Sequence, residues 1–168
     1  MNWMRSILGI MMVSLSIWGC GAYSFTGASI SPEIQTVTVK YFPNQAKIIV
    51  PSLSQAFTEK LKNKFVLETN LTMLKSGGDL EFSGVITRYD VRPIAPTGNE
   101  TAALKRLTIT VQVDFVNRIN EAEGWEKSFT HFKDIESSTN LVDVEDQLIE
   151  AINEQLVDKI FNEALVNW

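Results

Sequence analysis

Five apolar residues, Leu107, Ile109, Val111, Val113 and Phe115, alternate without a miss against Thr108, Thr110, Gln112 and Asp114. Side chains of a strand point to opposite faces with a period of two, so this run demands a β-strand with one buried face and one polar face. Such a sheet needs something apolar to cover a single side, and the chain supplies two amphipathic helices for that purpose. The first opens at Pro51 and Ser52, where proline suits the first turn and Ser52 with Gln55 forms a capping-box pattern. Leu53, Ala56, Phe57, Leu61 and Phe65 follow as one stripe, with Lys60, Lys62 and Lys64 toward its end. Those lysines read either as a solvated helix end or as a phosphate site. The second helix is C-terminal, with Val144, Leu148, Ile149, Ile152, Leu156, Ile160, Phe161 and Leu165 on one face and a dense set of acids on the others. Asn140 or Asp143 can cap it. The acids read as a solvated face or a dock for a basic partner. Trp168 is expected to cover the sheet edge or the core rim.

The remaining segments read as strands. Val37, Val39 and Tyr41 alternate with polar residues, and Phe42-Pro43-Asn44 turns the chain. Leu67, Leu71 and Met73 suggest a short strand, closed by Ser76-Gly77-Gly78-Asp79 as a hairpin turn. From Leu80 to Val91 the apolar parity switches at Ser83-Gly84, which predicts a β-bulge at Gly84. Pro93 to Glu100 is a polar loop, Asn120 to Gly124 a turn, and Trp125, Phe129 and Ile135 carry a last strand with Phe132 on the opposite parity. The expected fold is α+β: a two-layer sandwich, with a mostly antiparallel four- to five-stranded sheet and two helices packed on one face.

The N-terminus constrains location. Arg5 is followed by an uncharged run from Ser6 to Gly19, and the only cysteine, Cys20, comes next. A positive start, an apolar middle and a small residue before a thiol resemble the lipobox of bacterial lipoproteins. Ile17 and bulky Trp18 depart from that pattern, whereas Gly19 and Cys20 match it. As a helix, Ser6 to Gly19 would rise about 21 Å, short of a hydrocarbon core of about 30 Å. An ordinary secretory signal and a buried core thiol are the other readings of Cys20, but no second cysteine exists to pair with it. The expected organisation is a signal peptide over residues 1–19, a lipidated tether over 20–34 and one domain over 35–168. Tyr23 and Phe25 in the tether are expected to pack on the domain edge. Removing residues 1–19 of 168 leaves 149, and losing Arg5 takes the net charge from −5 to −6. An acidic domain of this size is not drawn to nucleic acid by its overall field.

Catalytic chemistry has little to work with. His131 is the only histidine and has no nucleophile motif beside it. No zinc, calcium or phosphate-loop spacing occurs, so no metal site and no cofactor are expected. Asn70-Leu71-Thr72 and Asn99-Glu100-Thr101 match glycosylation triplets by chance. Basic residues lie on or beside strands: Lys40, Arg88, Arg92, Lys105, Arg106, Lys127 and Lys133. Several on one face would bind lipid-headgroup phosphates through charge-assisted hydrogen bonds, and Arg88, Arg92, Lys105 and Arg106, beside the Pro93 to Lys105 loop, are the candidates.

The lipobox, the short tether, Phe42-Pro43-Asn44, the helix after Pro51, Gly78-Asp79-Leu80-Glu81-Phe82-Ser83-Gly84 and the strand from Arg106-Leu107-Thr108 together resemble the lipopolysaccharide (LPS)-assembly lipoproteins, the LptE family, in its Bacteroidota-type branch. The resemblance covers nearly all of the chain after Cys20. It implies a non-enzymatic lipoprotein on the periplasmic face of the outer membrane, held there by N-terminal acyl chains. It also implies a place inside the LptD β-barrel, a role in that barrel's assembly, and a role in inserting LPS into the outer leaflet. The other readings are a lipoprotein scaffold of another envelope or secretion complex, and a lipid- or glycan-modifying enzyme.

Overall fold

The computed structural model describes residues 30–94 and 103–165. Cys20, Tyr23, Phe25, most of the Pro93 to Glu100 loop, the Asn99 triplet and Trp168 lie outside the described residues. The elements run β1 (Thr36–Val39), α1 (Pro51–Glu68), β2 (Thr72–Leu74), β3 (Leu80–Ile94), β4 (Leu104–Asn117), a 3-10 turn (Glu121–Glu123), β5 (Trp125–Glu136) and α2 (Leu141–Leu165). They form a five-stranded sheet of order β2-β1-β3-β4-β5. Both helices pack on one face, α1 over β1 and β2, α2 over β4 and β5. This is the expected α+β sandwich. The sheet is mixed: β3, β4 and β5 are antiparallel, while β1 runs parallel to both β2 and β3.

The alternation of β4 translates directly into packing. Leu107, Ile109, Val111, Val113 and Phe115 are all buried under the helices. Phe82, Phe115 and Trp125 are register partners across three strands, and their rings touch at centroid distances of 4.7 and 5.2 Å. Phe65 of α1 continues the row, 4.8 Å from Phe82 and 5.2 Å from Phe161 of α2. One aromatic spine therefore joins sheet and both helices. The buried core begins at Ile34, and Ile30 packs against it.

Several local expectations are corrected. The bulge lies at Thr87, where the register passes from Ile86↔Val111 to Arg88↔Thr110. Ile86 keeps the parity of Leu80 and Phe82, and adjacent apolar Val85 and Ile86 made the switch point ambiguous in sequence. Gly84 serves close approach instead. Its φ is 156°, and a Cβ there would stand 2.0 Å from the Gln112 carbonyl oxygen and 2.7 Å from the Phe42 ring. Ser76 to Asp79 is no hairpin turn. It links two strands that both run parallel to β1, and it crosses the face of β1. Gly78 N–H donates to Thr38 Oγ1 at 3.0 Å, and a Cβ on Gly78 would meet the β1 backbone at 2.8 Å. That crossing buries Thr38, so β1 is covered on both faces rather than half-buried. Tyr41 lies beyond β1 and is exposed, while Phe42 turns in against Phe57 at 5.1 Å.

The helix ends also differ in detail. Val50 is the N-cap of α1 with no side-chain cap, so the Ser52/Gln55 capping box does not form. Pro51 needs no N–H partner at that position. Leu67 stays within α1 and is 82% exposed rather than joining a strand. Asn140 Oδ1 accepts from the Val142 N–H at the start of α2.

Candidate functional site

Among the described residues no helix lies over the second face of the three antiparallel strands. Because parity resets at Thr87, Arg88, Asp90 and Arg92 of β3 point to that open face, together with Arg106, Thr108 and Thr110 of β4 and Thr130, Phe132 and Asp134 of β5. Of the four basic residues picked from sequence, Arg88, Arg92 and Arg106 are brought together. Lys105 has the opposite parity and lies on the helix side, its Nζ donating to the Thr139 carbonyl at 3.1 Å.

The arginines are held by two aspartates that sequence reasoning did not single out. Arg88 Nη2 donates to Asp90 Oδ2 at 3.1 Å, and Arg92 Nε pairs with the same oxygen. Arg106 makes a two-pronged bond to Asp134, 2.7 and 2.8 Å, with its guanidinium carbon 3.7 Å from the Phe132 ring centroid. That bond raises the Arg106 pKa and holds the Asp134 carboxyl below the usual range. Three guanidiniums share two aspartate partners, with Glu136 on the same face one row further along. Arg92 and Arg106 are direct register partners. Like charges directly opposite one another on neighbouring strands repel, and an anion between them relieves that repulsion. Arg92 is 68% exposed and Phe132 42% exposed, so this face offers free N–H donors beside an aromatic surface.

Several other basic residues are committed elsewhere. Lys40 and Arg118 both pair with Glu81. Lys127 pairs with Glu163 of α2 and lies over the Trp125 ring. Lys60 pairs with Glu150, Lys62 with Glu59, and Lys64 with Glu68 and Asp158. Three acids of α2, Glu150, Asp158 and Glu163, thus face lysines of the same molecule, and Glu145 accepts from the Tyr89 hydroxyl. Partial burial, then Lys159 and Lys133, hold the His131 pKa below the usual histidine range. Among the described residues the one hydrogen-bond contact of the imidazole is to Lys159 Nζ, at 3.5 Å, and no hydroxyl or thiol bonds to it. Among the described residues no group of three or more His, Cys, Asp or Glu is placed to hold a metal ion.

A family model for lipopolysaccharide assembly, LptE, matches residues 34–164. The chain belongs to the LptE family. Membership gives it a general role as an LPS-assembly lipoprotein, in a family of non-catalytic lipoproteins. It also implies an outer-membrane, lipid-anchored location facing the periplasm and an association with an LptD-type barrel and LPS in general. No curated protein matches by sequence. Among solved structures, the hypothetical protein CT253 of Chlamydia trachomatis is similar over 80% of this chain and 98% of its own, at 9% identity and a TM-score of 0.53. Protein XCC0632 of Xanthomonas campestris is similar over 79% of this chain and 84% of its own, at 10% identity and a TM-score of 0.52. A minor lipoprotein of Acinetobacter baumannii covers 80% of this chain and 95% of its own, at 16% identity and a TM-score of 0.47. At such identities the first two likenesses describe the fold of this LptE protein and nothing finer.

Proposed function

We propose that this LptE protein, of the Bacteroidota-type branch, is anchored by acyl chains on Cys20 to the periplasmic face of the outer membrane. There it partners and plugs the LptD β-barrel, supports the barrel's assembly, and contacts LPS through Arg88, Arg92 and Arg106. The observation that carries the LPS contact is the pairing of Arg92 opposite Arg106 on a face without helices. A phosphate seated between them accepts hydrogen bonds from both guanidinium forks while each keeps its aspartate. Phe132 beside them suits a ligand with both sugar and acyl parts.

The test has two arms. Depleting the protein in cells is expected to lower the level of the assembled barrel and of LPS at the cell surface; normal levels of both overturn the assembly role. Purified acylated protein carrying Arg92→Glu and Arg106→Glu is expected to bind LPS at least about tenfold more weakly, the loss of two charge-assisted contacts. Unchanged LPS binding moves the contact off this face. Recovery of a different envelope complex after crosslinking, with no barrel present, supports the scaffold reading instead.

A further inference from the structure

β5 is a 12-residue strand at the end of the sheet, and among the described residues no strand pairs with its outer edge. Its bonding to β4 fixes which backbone groups face outward. The Ser137 N–H donates to the Ala103 carbonyl at 2.8 Å, and Thr87 Oγ1 donates to the Thr110 carbonyl from the β3 side at 3.4 Å. Bonded and non-bonded pairs alternate along an antiparallel ladder, so Thr110 and Thr130 form a non-bonded pair. The N–H and C=O groups of Glu126, Ser128, Thr130, Phe132 and Asp134 therefore point away from the sheet. Among the described residues the Thr130 carbonyl alone of these has a partner, Lys159 Nζ of α2 at 3.1 Å. An edge this long with a single guard is a template for another strand. β2, at the other edge, is three residues long and offers no comparable template.

Charge on the helix side of that edge selects the strand. His131 and Lys133 project there, with the parity of Trp125 and Phe129, and Lys159 reaches over from α2 to 3.5 Å from His131 Nδ1. Among the described residues neither Lys133 nor Lys159 pairs with a carboxylate, and the charges that act on His131 are those of these two lysines. In a chain of net charge −5 this patch is a local exception. A second copy docked edge to edge around Phe132 would set the same cations against one another. A strand with acids at alternate positions sets carboxylates against them instead, since alternate side chains share a face. For a domain seated in a barrel lumen, the barrel's own extended segments are the neighbouring chains.

We propose that the outer edge of β5, from Glu126 to Asp134, takes an extended segment of the barrel as a sixth strand, one with alternate acidic residues that meet Lys133 and Lys159. The assignment rests on the barrel partnership proposed above. A backbone N–H of the incoming strand takes the Thr130 carbonyl, and the released Lys159 turns to one of its carboxylates. Its other face lies beside Thr130 and the exposed Phe132 ring. Main-chain hydrogen bonds supply affinity in such an addition, and the alternate side chains supply specificity.

The test uses the full-length protein produced together with its barrel. Benzoylphenylalanine, a photo-crosslinker, placed at position 128 or 132 is expected to join one and the same barrel segment, at points about four residues apart. The same group at position 74 on β2 is expected to leave that segment untouched. Ser128→Pro removes an outward N–H without touching the β4 ladder, so the fold tolerates it. With circular dichroism retained, it is expected to lower barrel recovery at least about tenfold, and Lys133→Glu/Lys159→Glu is expected to do the same. Full barrel recovery with Ser128→Pro, and no crosslink from 128 or 132, overturns the strand addition alone. Crosslinks from both positions to a second copy of the chain also overturn it, and give the edge to a dimer. Crosslinks to a barrel segment without alternate acids overturn the charge selection. Failure of the unaltered protein to recover any barrel overturns the barrel partnership and this edge together.

Discussion

Thr36 and Asp79 grip one another across 43 residues of sequence. The Thr36 N–H and hydroxyl donate to Asp79 Oδ2 at 2.9 and 2.8 Å, and the Asp79 N–H donates to Thr36 Oγ1 at 2.9 Å. Gln35 adds a further N–H to the same oxygen at 2.9 Å. This clamp fixes where β1 meets β3, at the point where the connection from β2 has just crossed over. Parallel neighbours cannot be joined by a hairpin, so their register needs another determinant.

Those donors, the Gln35 N–H first and Thr36 after it, hold the Asp79 carboxyl below its usual pKa. A carboxylate with a lowered folded-state pKa stabilises the fold in full above its unfolded pKa, and that contribution fades as pH falls through the lowered value. Asp79→Asn is therefore expected to flatten the acid limb of stability. Asp79→Ala is expected to cost about 2–3 kcal/mol at neutral pH, the loss of hydrogen bonds to a charged acceptor. Urea unfolding of both variants at pH 7 and pH 3 checks this. An Asp79→Ala cost that is as large at pH 3 as at pH 7 would remove the carboxylate from the explanation.

Gly84 gives the second prediction. A methyl group there collides with a neighbouring strand's backbone as well as with the Phe42 ring. Gly84→Ala is expected to destabilise by about 3 kcal/mol, toward the upper end of overpacking costs. Shrinking the ring with Phe42→Leu should not rescue it, because the Gln112 carbonyl cannot move without breaking the β3–β4 ladder. A double variant as stable as Phe42→Leu alone would show that the ring sets the constraint and the backbone does not.

Glu81 gives the third. It is 8% exposed, and Lys40 and then Arg118 hold its pKa below the usual range. Either cation alone still neutralises it. Lys40→Met and Arg118→Met are each expected to cost about 1 kcal/mol, a value usual for a partly exposed pair. Together they leave a buried carboxylate uncompensated, and about 3–5 kcal/mol is expected. Denaturant midpoints of the two single variants and the double variant measure the difference. Simple additivity would mean that water replaces the lost partners.

What sequence made legible follows from how local each determinant is. β4 and both helices were readable because period-two and period-3.6 patterns are written in consecutive residues. The parallel course of β1 and the crossing at Gly78 were not, because they depend on Thr36, Thr38 and Asp79 meeting across some 40 residues. Gly84 drew the bulge to itself because a glycine within a strand marks either a bulge or a close approach, and only packing decides which. Three of the four basic candidates share the open face, since strand parity is local. The expected switch at Gly84 and the observed one at Thr87 both precede Arg88, so the parity of Arg88 and Arg92 is the same either way. Asp90 and Asp134 went unmarked because a carboxylate partner two residues away, or on the next strand, carries no motif.

Asn153 is the last case, and its sign is opposite. It lies on the buried side of α2 and is 0% exposed, among Ile149, Ile152, Leu156 and Val157. Among the described residues neither its Oδ1 nor its Nδ2 has a hydrogen-bond partner. A buried amide without partners costs about 1–3 kcal/mol. Leucine has nearly the same volume and no polar atoms to satisfy. Asn153→Leu is therefore expected to stabilise the fold by about 1–3 kcal/mol, which thermal unfolding reads as a rise in Tm of several degrees for a domain of this size. Asn153→Ala removes the same polar atoms but opens a cavity, so it should fall below Asn153→Leu. If Asn153→Leu lowers Tm, the amide is satisfied in solution and its burial is not the liability argued here.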